Sequence, residues 1–227
     1  MNQRASFLIS LVLLTFVFCA SGLADLKLPS FFSDNMVLQR DKPVAIWGWA
    51  EPKTEVHVVL HDKLAKTTAD EKGNWRVMLP AMPASSEGAS LVIENESDRA
   101  EIKNVLIGEV WFASGQSNMA FLLRNSHEAK QDLAAANHPG IRMFLATNTP
   151  AATPQSDIEG SWTLCTPETA GAFSAVAYFF AKKIHEETGV PVGILKSCWG
   201  GKRCECYTSR EAMLSNEHGQ KMIAGLD

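Results

Sequence analysis

Ser117 is the residue of this chain whose setting points most directly to chemistry. It lies in Gly115-Gln116-Ser117-Asn118-Met119, just past the apolar run from Val105 to Ala113 and at the start of a predicted helix. Backbone amides at a helix start point toward whatever occupies the turn, so an oxyanion forming beside Ser117 would meet donors already oriented. Gly115 permits a tight turn and close approach of a substrate. Asn118 adds a side-chain amide that can donate to the same place or hold the turn. The chemistry this predicts is acyl transfer by a serine nucleophile. Spacing leaves an alternative open, that Ser117 is an N-cap, a role serine fills often.

Such a serine needs a strand before it and a helix after it, and the second half of the chain reads that way. Val105 to Ala113 is largely apolar, as a strand buried on both faces of a parallel sheet requires. Ile141 to Leu145 is a second such run. Ser174 to Glu187 reads as a helix with Val176, Ala177, Phe180 and Ile184 on one face, stopped by Gly189 and Pro191, and Val192 to Ser197 is the next strand. This is βαβ logic, and it predicts an open α/β sheet with covering helices from residue 104 to residue 227. Thr208 with Glu211 reads as a capping box opening a late helix.

From residue 25 to residue 103 the periodicity is two instead. Val44 to Ala50, then Val56, Val58 and Leu60, then Trp75 to Leu79 alternate as half-buried strands do, with turn chemistry at Asp70 to Asn74 and a loop from Pro80 to Gly88. Leu91 to Glu94 and Ala100 to Lys103 complete a small all-β sandwich. Trp47, Trp49 and Trp75 either fill its core or form a platform for sugar rings, the basis of an alternative reading as a non-catalytic carbohydrate-binding protein.

Residues 1–24 carry the pattern of a secretory signal. Arg4 supplies the positive end, Phe7 to Phe18 the apolar stretch, and Gly22-Leu23-Ala24 a small-residue cleavage site. The apolar stretch is short of the roughly 20 residues of a spanning helix, so a secreted or extracytoplasmic chain is expected. Past the signal stand Cys165, Cys198, Cys204 and Cys206, an even number that permits three pairings without choosing among them. A three-thiolate metal site from Cys198, Cys204 and Cys206 lacks a fourth ligand at zinc spacing. A net charge of -4 gives no electrostatic reason to expect nucleic acid or an anionic membrane as partner.

Three blocks carry a family resemblance. Trp111-Phe112-Ala113-Ser114-Gly115-Gln116-Ser117-Asn118-Met119 resembles the first motif of the sialate O-acetylesterase family, a branch of the SGNH hydrolases. Phe173 to Phe180, continuing through Gly189 to Ile194 and on to Trp199-Gly200-Gly201, resembles a second. Phe32 to Arg40 resembles the start of the β-domain that precedes the esterase domain in this family. The resemblance implies an SGNH-like sheet, a serine esterase acting on acetylated carbohydrates such as sialic acids, and no metal or organic cofactor. Ser117 is then the nucleophile, and its own amide with Asn118 and Gly200 or Gly201 would form the oxyanion hole. A tight turn is the other reading of the two glycines.

Two departures accompany the resemblance. Gly200-Gly201-Lys202 stands where the family shows Gly-Gly-Thr, and Glu205-Cys206-Tyr207 where it shows Glu-x-Trp. Lys202 and Arg203 read as a solvated loop, or else as a preference for an anionic sugar. No Asp-x-x-His, the usual source of base and orienting acid in these enzymes, occurs between Ser117 and Asp227. His57 and His61 fall in the β-domain, while His127, His138 and His185 suit surface positions. His218 is the late candidate, with nothing in the sequence to orient it. The expectation is an esterase domain incomplete at its C-terminus and a chain inactive by itself.

Overall fold

Alternation of side chains between a core and solvent shapes the N-terminal strands. The computed structural model describes residues 26–151 and 153–225, so the predicted signal lies outside the described residues. Strands β1 (Val37–Gln39), β2 (Val44–Trp49), β3 (Glu55–Leu60), β4 (Lys63–Thr68), β5 (Asn74–Leu79) and β6 (Ser85–Glu94) precede β7 (Arg99–Gly115). Every second residue of β3 and β5 is buried, which is the pleat expressed as burial. β2 and β5 form their own antiparallel pair. Their Ile46, Trp75, Val77 and Leu79 join Val56, Val58, Leu60, Leu91 and Ile93 in one core, giving a two-layer β packing.

The remaining elements are α1 (Ser117–Ala120), α2 (Ala129–Ala134), β8 (His138–Ala146), β9 (Gly160–Cys165), α3 (Ala175–Thr188), β10 (Val192–Cys198), α4 (Arg210–Leu214) and α5 (Glu217–Ala224). Together the strands make a mixed eight-stranded sheet in the order β4-β3-β6-β7-β10-β8-β9, with β1 also on β7. β1 and β10 run parallel to β7, and β8 runs parallel to β10. α3 lies on one face, and its Ala177, Tyr178 and Ala181 enter a second core with Ala113, Ile141, Met143, Val192 and Ile194.

β7 is where the two periodicities meet. The boundary expected at residues 103 and 104 falls inside this strand, which runs unbroken from the β layers into the α/β sheet. Asn104 has φ of +56°, a conformation asparagine tolerates better than most residues, and the β6 to β7 register shifts beside it. Upstream, β6 and β1 flank β7; downstream, β10 takes over as its neighbour, so the pattern changes while the strand does not.

Other differences are local. The loop expected at Ser85 to Gly88 belongs to β6, paired loosely across bulges. The late helix is capped by Ser209, whose Oγ accepts the Ala212 N–H, because Thr208 instead donates its hydroxyl to the Cys204 carbonyl. On α3 the buried face is Ala175, Ala177, Tyr178 and Ala181, whereas Val176 and Phe180, expected inside, are exposed. Three alanines let this helix approach the sheet closely beside the buried Tyr178, while Val176, Phe179 and Phe180 point elsewhere.

His138 is less peripheral than its sequence context suggests. Its Nε2 and the hydroxyl of Tyr178 are both buried without a hydrogen-bond partner among the described residues. Burial, followed by the charge of Lys182, holds the imidazole below its ordinary range; His185 adds to this and Glu186 opposes it. The unfolded chain therefore takes up the proton first, and this group's contribution falls as pH drops below the ordinary histidine range. Urea midpoints between pH 7.5 and 5.5 should fall less steeply in His138→Gln than in the parent. An equal slope in both would remove His138 from the account.

Candidate active site

Two paired strand ends bring the site together. Gly115 at the end of β7 is in register with Cys198 at the end of β10, and the Trp199 N–H donates to the Gly115 carbonyl at 3.1 Å. The same N–H is shared with the Tyr207 hydroxyl at 3.0 Å, and that hydroxyl donates to the Trp199 carbonyl at 3.1 Å. Tyr207, in the 3-10 turn Cys204–Tyr207, thereby clamps the start of the loop that carries Gly200 and Gly201. Open α/β sheets bind ligands beyond the carboxyl ends of their strands, and this is that end.

Ser117 is the first residue of α1, and the cap position belongs to Gln116, which makes no capping bond through its side chain. The N-cap alternative therefore does not describe Ser117. Its side chain is exposed, and no hydrogen bond links it to another described residue. α1 spans four residues, so it offers local amides and little of the cumulative dipole expected from a full helix. Gly115 has φ of +135°, which restricts the preceding turn to glycine.

The sequence-derived partners separate. Gly200 lies beside the nucleophile candidate, since a Cβ built there would stand 3.9 Å from the Ser117 Cα. Gly201, at φ +75°, stands in open space. Asn118 is exposed on α1, and its carbonyl accepts the Phe121 N–H at 3.3 Å. His218, on α5, has its Nε2 3.6 Å from Glu205 Oε1, with the imidazole 76% exposed. The Glu205 carboxyl is held below its ordinary range first by a backbone hydrogen bond at its own position, with smaller help from Cys204 and His218. No described histidine is hydrogen-bonded to Ser117.

A cleft of about 960 Å³ opens at the same end of the sheet, over β10 and β8. Ser197, Cys198 and Trp199 line one side, and the loop through Thr147, Asn148 and Pro150 the other. Ser117 does not line it; the serine stands across the end of β10, at its flank. Lys202 also lines the cleft, and its Nζ sits 4.4 Å from the centre of the Trp199 ring, so it is anchored instead of free in a solvated loop. The loop after β8 was not singled out from the sequence, although its Thr, Pro and Asn content beyond a buried strand marks a strand-end loop.

The four cysteines outside the signal are free thiols in the structure. Burial pushes the Cys165 thiol up to about 11 and raises that of Cys198, which suits inert packing in place of nucleophilic chemistry. Trp75 is buried, while Trp47 is half-buried between Phe31, stacked at 6.3 Å, and Phe32, edge-on at 4.6 Å. These rings serve the core.

No family model matches the chain. The sialate O-acetylesterase of Rattus norvegicus is 29% identical over 206 residues, covering 82% of this chain and 38% of its own length. The sialate O-acetylesterase of Homo sapiens is 26% identical over the same number of residues, covering 82% and 39%. A carbohydrate acetylesterase from Xanthomonas citri, known from its crystal structure, is 37% identical with a TM-score of 0.81, covering 86% of this chain and 45% of that one. The chain thus spans about two fifths of the length of the curated relatives it matches. Over most of its own length, the chain is similar in sequence to the sialate O-acetylesterases.

Proposed function

We propose that this chain supplies the nucleophile-bearing part of a secreted serine esterase of the SGNH type that removes O-acetyl groups from carbohydrates, sialic acids included. The observation that carries the reading is the exposed Ser117, beside Gly200 where β7 and β10 end together and without a hydrogen-bond partner for its hydroxyl among the described residues. Similarity to acetylesterases supports the reaction class.

In this reaction the Ser117 Oγ attacks the acetyl carbonyl carbon and gives up its proton to a base. The carbonyl electrons move to oxygen, where the backbone amides of Ser117 and Gly200, with the Asn118 side chain, are the candidate donors. Collapse breaks the bond to the sugar oxygen, which leaves with the proton, and water then hydrolyses the acetyl-serine. The cleft beside Trp199 and Lys202 is the space for the sugar. No described histidine is hydrogen-bonded to Ser117, and His218, the late candidate, stands instead near Glu205. Secretion follows from the signal pattern in residues 1–24, and a mature N-terminus at Asp25 would establish it.

Acetate release from O-acetylated monosaccharides tests the reading. The chain continued by the corresponding segment of an acetylesterase relative should release acetate. Absence of release from every O-acetylated sugar offered would defeat the assignment. Trp75 is buried and Trp47 is packed between Phe31 and Phe32, so neither offers the carbohydrate-binding alternative a free ring.

A further inference from the structure

We infer that Tyr207 is a positioning residue: its hydroxyl, bonded to both backbone groups of Trp199, fixes the peptide plane that carries the Gly200 amide beside Ser117. The part this plays in a reaction rests on the esterase reading given above; the hold on the loop does not.

The loop needs a hold because its own residues supply little stiffness. Gly200 and Gly201 follow within three residues of the end of β10, and glycine restricts the backbone less than any other residue. Gly201 sits at φ of +75°, and no described atom beyond its chain neighbours lies within 4 Å of a Cβ built there. Gly200 is nearly as open, with the Ser117 Cα at 3.9 Å. Packing therefore does not set the direction of either amide.

The Trp199 backbone does. Its N–H is shared between the Gly115 carbonyl at 3.1 Å and the Tyr207 hydroxyl at 3.0 Å. The same hydroxyl donates to the Trp199 carbonyl at 3.1 Å, so one group accepts from and donates to a single residue. The Trp199 carbonyl and the Gly200 N–H belong to one trans peptide plane and point in opposite directions. Holding the carbonyl on Tyr207 thus aims the Gly200 N–H as well, and that N–H is a candidate donor to an oxyanion beside Ser117.

Tyr207 is itself anchored. It closes the 3-10 turn Cys204–Tyr207, in which the Cys206 N–H donates to the Arg203 carbonyl at 3.2 Å. The Thr208 N–H donates to the Glu205 carbonyl at 3.1 Å, and the Thr208 hydroxyl to that of Cys204 at 3.0 Å. Lys202 over the Trp199 ring steadies the ring, not the peptide plane. Tyr207 is 40% exposed, so little of the core depends on it. It also stands where the family resemblance predicts tryptophan. An indole N–H can donate to a carbonyl but accepts nothing, so the two-way bond belongs to this chain.

The test compares the 227-residue chain with its Tyr207→Phe and Tyr207→Trp variants. Nitrogen-15 relaxation should give Gly200 and Gly201 order parameters near about 0.85 in the parent and below about 0.6 in Tyr207→Phe. A donor misplaced by about an ångström costs on the order of a hundredfold in rate, and a loosened one costs part of that. Hydrolysis of p-nitrophenyl acetate by the chain alone, which draws on oriented amides, should therefore lose at least about tenfold in kcat in Tyr207→Phe, with KM within about twofold. Tyr207→Trp, which keeps a donor to the Trp199 carbonyl, should regain most of the order and most of the kcat together. Unchanged order parameters in Tyr207→Phe overturn the inference. Lost order with an unchanged kcat leaves Tyr207 holding the loop and overturns its part in the reaction. A parent that hydrolyses the ester no faster than buffer counts against the esterase reading, and the order parameters still decide whether Tyr207 holds the loop.

Discussion

Ser117→Ala is expected to change the residual esterase rate of the 227-residue chain hardly at all, and to lower kcat/KM about ten-thousand-fold or more once a base is supplied. Residues that act as a unit are grossly non-additive: without an imidazole to take its proton, a serine hydroxyl is a weak nucleophile, and its removal costs little further. What survives is stabilisation of the oxyanion by oriented amides, worth roughly a thousandfold over water. Gly200 stands beside Ser117, and no described histidine is hydrogen-bonded to that serine. Hydrolysis of p-nitrophenyl acetate by four samples settles it: parent and variant, each alone and each with the completing polypeptide. A large loss on mutation in the chain alone would place a working base within it, with His218, held near Glu205 at 3.6 Å, the first to examine. Undiminished rate in the completed variant would remove Ser117 from the chemistry.

Much of this arrangement was legible in the residues because the relevant signals are local. Gly115 at positive φ and the apolar strand before it are read from the strand-to-helix motif, since few other residues tolerate that turn. The β10 strand and the glycines after it are legible for the same reason. Burial is a non-local property and was read less well. Over Ala175 to Phe180 almost every residue is apolar, so period alone cannot say which face meets the sheet, and the small residues won because they permit close approach. β4 escaped notice because an edge strand is selected to be polar, and its Leu64 is exposed. The unity of β7 was hidden by a change of neighbours midway along it.

The site's third dimension was not legible at all. Tyr207 reaches eight residues back to the Trp199 backbone, and Lys202 folds over the Trp199 ring. Such contacts depend on how a loop returns on itself, which no periodicity encodes. The cleft over β8 and β10 likewise arises from strand order, in which β10 lies between β7 and β8 although it follows both in sequence. Ser117 and the cleft consequently share a sheet end while flanking β10 on different sides.

Arg142→Met should lower unfolding stability by about 2 kcal/mol. Arg142 is 3% exposed, and burial pulls its guanidinium down to about 10. No carboxylate is paired with it among the described residues; it donates instead to backbone and side-chain oxygens where the two halves of the molecule join. Its Nη1 donates to the Asn104 carbonyl and, at 3.4 Å, to that of Met36, and its Nη2 donates to Asn104 Oδ1 at 3.0 Å. The Met36 carbonyl also accepts from Leu106 and would stay satisfied, whereas both oxygens of Asn104, an exposed residue, would lose their Arg142 donor and be met in part by water. Losing a buried cation offsets part of that cost, so the net figure is below that of breaking a buried ion pair. Arg142→Lys makes the sharper test. It keeps the charge but not the planar fork of donors, and a buried ammonium sheds its proton more readily than a guanidinium. The unfolded lysine binds its proton more tightly than the folded one, so the variant should gain stability relative to the parent as pH rises from 7 to 9. Urea unfolding at both pH values reads this directly. A Met variant as stable as the parent, or a Lys variant with the parent's pH dependence, would mean that the join between the β layers and the α/β sheet is held by packing of Phe31, Phe144 and Trp162 and not by Arg142.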